Sequence, residues 1–309
     1  MLCSIHGAPA LIPFRRERPD SQVLLRITLL VIALSSLSRA RVFTELMMAD
    51  LDWNKSTWET HYNWGEAGEE WSTAWGGSEA HWFGSIYPRL HRFLPAPRIL
   101  EIAPGFGRWT KFLIPLCREF VGIDLSEKCT DACRNRFASA THARFFTNDG
   151  YSLEAAPERT FDLIFSFDSL VHAEYPVLKS YIPQLLAKLS PGGVAFIHHS
   201  NLLAFNNTLG APHSRGVTVS ADAVADLIYR DGGTILIQEI VNWSEEHLID
   251  CLTLFARHDS YPSAKPARLI NPLFMAEAKL IRSFQSPYSM LSRRRTDAGG
   301  AQADPLAAA

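Results

Sequence analysis

The chain has 309 residues, 47% hydrophobic and 20% charged, with 30 basic and 32 acidic side chains. That length suits one large domain or two small ones, and the apolar content and balanced charge exclude disorder for the body of the chain. A formal net charge of −2 argues against a nucleic-acid binder working through bulk charge, and five cysteines without a CxxC pair or ligand-spaced cluster argue for a reducing compartment and against a metal site.

Residues 1–46 differ in character from the rest of the chain. Arg15, Arg16 and Arg18 precede an apolar run from Val23 to Leu37, broken by Arg26 and followed by Ser38-Arg39-Ala40. The outline fits a secretory leader. The favoured reading is an extension from a start placed upstream of Met47-Met48 or a disordered leader, and a cytoplasmic protein is then expected. The run is shorter than the roughly 20 apolar residues of a membrane-spanning helix, so stable insertion is expected only if 23–37 is a real anchor. Residues 47–96 form an N-terminal helical cap, with Trp53, Trp58, Trp64, Trp71, Trp75 and Trp82 among its residues. Tryptophans at helical spacing usually pack into a core. Most are expected to fix the cap to the body, with Trp75, which precedes Gly76-Gly77, as the favoured substrate contact.

From residue 97 to 257 strands and helices alternate. Strands are expected at Arg98–Ile102, Phe120–Ile123, Ala143–Phe146, Phe161–Phe167, Val194–His198, Thr234–Ile240 and Leu248–Phe255. Helices are expected at Trp109–Cys117, from a Ser126 cap to Phe137, at Val177–Leu189 and at Ala221–Tyr229. Ser190-Pro191-Gly192-Gly193 reads as a turn. The alternation predicts an α/β fold, a doubly wound and mostly parallel sheet with helices on both faces. Residues 258–291 are a C-terminal extension, and 292–309 a disordered tail.

In such sheets ligands bind beyond the carboxyl ends of the strands, where the strand order reverses. Glu101-Ile102-Ala103-Pro104-Gly105-Phe106-Gly107 follows the first strand, and its glycines allow backbone to approach a ligand. A dinucleotide fingerprint wants a third glycine where Thr110 stands, which counts against a nicotinamide oxidoreductase. Asp124, next to Leu125 at the end of the second strand, is placed to accept ribose hydroxyls. Asn148-Asp149-Gly150 follows the third strand, where a carboxylate is placed to accept an exocyclic amine.

Together these stretches resemble the class I S-adenosylmethionine-dependent methyltransferases. The 101–107 stretch looks like that family's motif I, Asp124 its ribose position and Asn148-Asp149 its adenine-side position. Phe161–Ser166 and Leu189–Gly193 look like its strand-four motif and its loop before strand five. The resemblance spans about residues 85–257. It implies a Rossmann-like sheet of seven strands ending in a reversed hairpin, with S-adenosyl-L-methionine as cofactor. The cofactor contacts it implies are Glu101, Ala103, Gly105, Phe106, Gly107, Asp124, Leu125, Asn148, Asp149, Gly150 and Phe167. The wording around 166–172 and 198–201 looks closest to bacterial methyltransferases of sugar and polysaccharide modification.

Transfer to a hydroxyl needs positioning and a base, because an alcohol is protonated at neutral pH. Asp168, His172 and His199 are the catalytic candidates, with Asn201 as an orienting amide on the substrate. His198 and His199 point to opposite sides of one strand, and His199 lies nearer its end. Asp168 with His199 could start a divalent-cation site, but no ligand spacing supports it and no metal is expected. The expected activity is methylation of a small-molecule or glycan acceptor on oxygen. N-, carboxyl- or phosphate-methylation of a small molecule, or a non-catalytic cofactor-binding module, are the alternatives. A nucleic-acid acceptor is not expected, since no Asn-Pro-Pro-Tyr-type loop follows strand four.

Overall fold

Alternation along the central strands gives each a side chain on either face, and both faces are apolar. In the computed structural model, which describes residues 49–206, 208–243 and 246–289, these strands form one sheet. The expectations for residues 1–46 and for the 292–309 tail lie outside the described residues.

The strands are β1 (Arg98–Ile102), β2 (Glu119–Asp124), β3 (Ala143–Thr147), β4 (Phe161–Ser166), β5 (Leu189–Ser200), β6 (Gly233–Val241), β7 (Asp250–Arg257) and β8 (Ala267–Asn271). Their order is β3-β2-β1-β4-β5-β7-β6-β8. β7 runs antiparallel to both neighbours, and every other pair is parallel. The reversed hairpin is therefore present, but the sheet has eight strands where seven were expected. The extra one, β8, carries mostly exposed residues, so it lacks the buried pattern that marks the others.

Five helices frame the site: α1 (Leu51–Ser56), α2 (Glu127–Arg136), α3 (Tyr175–Lys188), α4 (Ala221–Arg230) and α5 (Phe274–Leu280). The Ser126 hydroxyl caps α2 by accepting from the Cys129 N–H at 3.1 Å. The Ser220 hydroxyl does the same for α4 from Ala223 at 3.2 Å. The helix expected at Trp109–Cys117 shrinks to Thr110–Leu113 and a 3-10 turn at Ile114–Leu116, because Pro115 supplies no N–H to continue it. The turn at residues 190–193 is a bulge inside β5: Phe161 pairs with Leu189, and Leu163 already pairs with Val194.

The strand alternation builds two cores. Ile99, Leu163, Phe165 and Phe196 face the cap residues Trp75, Trp82, Ile86 and Leu90. Leu100, Ile164, Ala195 and Ile197 face Leu178, Ile182 and Leu185 of α3 and Val224 and Leu227 of α4. The cap thus packs on one face of the sheet, together with Leu113, Cys133 and Phe274.

Residues 258–289 tie into this cap. Arg89 forms a two-pronged pair with Glu239 of β6 at 2.8 and 2.9 Å, and reaches Glu277 of α5 at 2.9 Å. The Arg89→Ala change leaves two carboxylates facing each other without their shared cation. A loss of about 2–4 kcal/mol is expected, toward the low side of broken buried pairs because Glu277 is partly exposed. Urea unfolding measures it; a loss below about 0.5 kcal/mol would mean the clamp holds nothing.

Candidate functional site

The loop after β1 turns sharply. Ala103, Gly105 and Gly107 all have positive φ, at 54°, 58° and 83°. Two of these positions also lack room. A Cβ on Gly105 would come within 2.9 Å of the Trp64 ring, and one on Gly107 within 2.4 Å of Phe137. Asp124 clamps the turn: one carboxylate oxygen accepts the Gly105 N–H and the other the Ser126 N–H, each at 2.9 Å. Burial pushes the Asp124 carboxyl up, opposed by those two N–H donors.

Beside this loop, at the reversal between β1 and β4, lies a half-open cavity whose roughly 900 Å³ of non-atom space includes open solvent. The sheet contributes Ala103, Gly105, Phe106, Asp124, Leu125, Gly150 and Phe167, all expected cofactor contacts. The cap closes the other side with Leu51, Trp58, Trp64 and Trp71. Trp64 stacks flat on Phe106, centroids 4.5 Å apart and planes 2° apart.

Four of the expected contacts do not line it. The Glu101 carboxylate is buried and accepts the Thr110 hydroxyl at 2.6 Å. Gly107 backs onto Phe137. Asn148 spends its amide on the Ser152 carbonyl and the Tyr181 hydroxyl, at 2.8 and 2.9 Å. Asp149 accepts the Tyr151 and Ser152 N–H groups at 2.8 and 2.7 Å, which is a loop-closing role.

A second half-open cavity, whose roughly 1090 Å³ of non-atom space includes open solvent, adjoins the first. Trp58, Trp71, Asp168 and His172 line both. Trp53, Tyr62, Glu70 and Trp75 add cap side chains to the second, and His213, Arg215 and Trp243 add the far wall. Five of the six cap tryptophans therefore line a cavity, and only Trp82 is core alone. Spacing foretells burial but does not reveal which buried faces border a void.

The shared wall is built on charge. Asp168 adopts φ 60°, a left-handed conformation that asparagine and aspartate tolerate best among side-chain-bearing residues. Its carboxylate pairs with Arg108 at 2.8 Å and lies 3.8 Å from Arg215. Arg215 binds Asp250 at 2.8 Å. Burial disfavours an ionised Asp250, but Arg215 and His198 outweigh it and hold the carboxyl well below its usual range. His198 accepts the Asp168 N–H on Nδ1 at 3.2 Å, so its Nε2 carries the proton it donates to Asp250 at 3.0 Å.

His172 donates Nδ1–H to the Ser214 carbonyl at 2.9 Å, which leaves the Nε2 lone pair free of any partner among the described residues. Burial, with Arg215 adding, pulls this imidazole down to about 4, so it is neutral at physiological pH. Asn54 of α1 ties the cap to the same turn by donating to the His172 carbonyl at 3.0 Å.

His199 and Asn201 are not brought to the site. His199 sits on the opposite face of β5, donating to the Ser200 carbonyl and accepting the Thr253 hydroxyl, both at 2.8 Å. Nearness to the strand end is no guide here, since β5 continues to Ser200 and the side-chain alternation favours His198. Asn201 accepts the Ala221 N–H and donates to the Leu248 carbonyl, at 2.8 and 2.9 Å, and so anchors the start of α4. Arg108, Arg215, Asp250, Tyr62 and Glu70 join the site without having been expected from the sequence. Arg108, directly after the second glycine, and Tyr62 and Glu70, among the tryptophans of the cap, stand where a signal was available.

Residues 99–193 match the model of a family described as a methyltransferase domain. No curated protein matches the chain. Similar solved structures include an S-adenosylmethionine-dependent methyltransferase from Clostridium acetobutylicum, 17% identical with a TM-score of 0.46, covering 60% of this chain and 91% of that one. The N-methyltransferase NodS from Bradyrhizobium japonicum, in complex with S-adenosyl-L-homocysteine, is 19% identical with a TM-score of 0.45, covering 55% and 84%. A structure from Leishmania major, also an S-adenosylmethionine-dependent methyltransferase, is 14% identical with a TM-score of 0.46, covering 58% and 72%.

Burial raises the Glu101 carboxyl from an ordinary 4.5 to about 8. A folded-state value above the unfolded one means the unfolded chain releases its proton first. Stability from this group is complete below about pH 4.5 and is lost as pH rises through 8. Unfolding midpoints measured from pH 5 to 9 should therefore fall more steeply in the parent than in Glu101→Gln. Parallel curves would mean that Glu101 is ionised when folded.

Proposed function

Since residues 99–193 match a methyltransferase-domain family, we propose that the chain is a class I S-adenosylmethionine-dependent methyltransferase and that it methylates an oxygen of a small or glycan-like acceptor held in the second cavity. The observation that carries this reading is the wall of Trp58, Trp71, Asp168 and His172, which lines both cavities. A methyl group moving between two bound partners has to cross where their sites meet.

The residues of the first cavity fit the cofactor. Gly105 keeps a space that a Cβ would close against Trp64, and Asp124 is a buried carboxylate at the end of β2. Asp124 would accept ribose hydroxyls, and the 103–106 backbone would border the amino-acid end. When bound, S-adenosylmethionine supplies an electrophilic methyl on a sulfonium.

His172 is the group we assign to the acceptor proton. Its Nε2 holds a lone pair because Nδ1–H is fixed on Ser214. An imidazole near 4 is a weak base, yet it suffices here. A hydroxyl becomes a strong acid as its oxygen gains a new bond to carbon, so the proton moves to Nε2 as transfer proceeds. Asp168 is committed to Arg108 and acts as a positioning residue for the wall, which revises its assignment as a catalytic base. A free lone pair beside the junction also favours turnover over a binding module without activity. Cys117, Cys129, Cys133 and Cys251 are free thiols, which supports a reducing, cytoplasmic setting. Among the described residues, no helix is long and apolar enough to cross a membrane.

Calorimetric titration with S-adenosylmethionine should show saturable binding, and the same titration with NAD none. Asp124→Ala should weaken the cofactor by about 1–3 kcal/mol, the cost of lost bonds to a charged group; unchanged affinity would remove its ribose role. With an acceptor found by screening hydroxylated sugars and small alcohols, His172→Gln should lower kcat by about 10²-fold or more with cofactor affinity intact. Full activity in that variant would assign the proton elsewhere.

A further inference from the structure

The second cavity has an unbalanced charge. Of the two carboxylates in its wall, Asp168 is paired with Arg108 at 2.8 Å, and Arg215 is engaged by Asp250 at 2.8 Å. Glu70 has no cationic partner among the described residues. Its Oε1 accepts the Tyr62 hydroxyl, and its Oε2 is buried with no hydrogen-bond partner there. A buried acceptor left unmatched costs about 1–3 kcal/mol, more when charged, so such a group commonly awaits a ligand donor.

The rings around it meet at steep angles. Trp53 and Trp58 lie edge to face at 88°, centroids 6.2 Å apart. Trp58 and Tyr62 meet at 59° and 5.3 Å. Arg108 and Arg215 already cover faces of Trp71 and Trp243, at 5.2 and 5.1 Å. A corner of several ring faces closed by a carboxylate suits a compact cation, which gains from each ring quadrupole and from the charge.

We propose that the acceptor carries a protonated amine, held by Glu70 within the corner formed by Trp53, Trp58 and Tyr62. The acceptor class is then an amino alcohol or amino sugar. This rests on the second cavity being the acceptor chamber. It also fixes the methylated atom, because a protonated nitrogen has no lone pair to attack with. The hydroxyl of the same molecule remains as nucleophile, facing His172.

The test uses matched pairs that differ in charge: ethanolamine with N-acetylethanolamine, and glucosamine with N-acetylglucosamine. Each is titrated into the full chain with S-adenosyl-L-homocysteine present, following tryptophan fluorescence. The charged member of at least one pair should quench saturably and bind about tenfold or more tightly than its neutral partner. Glu70→Gln should weaken that binding about tenfold and leave S-adenosyl-L-homocysteine affinity unchanged. Equal affinities within both pairs, no saturable response to either amine, or amine affinity untouched by Glu70→Gln would overturn the proposal. The wild-type comparison stands even if that variant fails to fold. Absence of S-adenosyl-L-homocysteine binding, measured separately by calorimetry, would instead overturn the cofactor assignment.

Discussion

A line of buried groups holds the site together: the charges Arg108, Asp168, Arg215 and Asp250, and the imidazole of His198, each at most 9% exposed. Charges taken out of water are costly unless each finds an opposite partner, and here Arg108 meets Asp168 and Arg215 meets Asp250, which also accepts a hydrogen bond from His198. The members come from the loop after β1, the end of β4, the segment before α4, β7 and β5. Removing one leaves its neighbour uncompensated in the interior. The line therefore fixes five distant segments against each other and decides where the wall between the two cavities stands.

The wall in turn sets the state of its one uncommitted base. His172 is pinned through Nδ1 to Ser214 and tied through its carbonyl to Asn54 of the cap. Burial and Arg215 keep it neutral. A neutral ring with one nitrogen held as donor has its other nitrogen as acceptor. The positive charge that would disable a cationic His172 is thus excluded by the same arginine that stabilises Asp168 and Asp250.

The cap serves two purposes from one aromatic composition. Trp75 and Trp82 complete the core on one face of the sheet. Trp53, Trp58, Trp64 and Trp71 are less enclosed by protein and border the cavities. Rigid rings are suited to both tasks, because they present large faces with few rotatable bonds. Residues 258–289 brace this cap through Arg89, Glu239 and Glu277, so the C-terminal segment supports the aromatic lid over the sheet.

Local chemistry was sufficient for much of the fold. Strand alternation, serine caps and the glycine loop placed β1 to β7, α2, α4 and the turn beside Asp124, since each depends on neighbours within a few residues. β8 escaped because an exposed edge strand has no buried period. Ala103, Gly105, Phe106, Asp124, Leu125, Gly150 and Phe167 were legible as cavity residues because strand ends dictate them. His199, Asn201, Asn148 and Asp149 were misplaced because strand parity at the end of β5 and competing loop hydrogen bonds decide where those side chains go. The sequence by itself determined a doubly wound sheet with a ligand loop after its first strand. Only the tertiary structure decided which charges meet, which histidine keeps a lone pair and which carboxylate is left without a cation, because those outcomes depend on contacts between segments far apart in the chain.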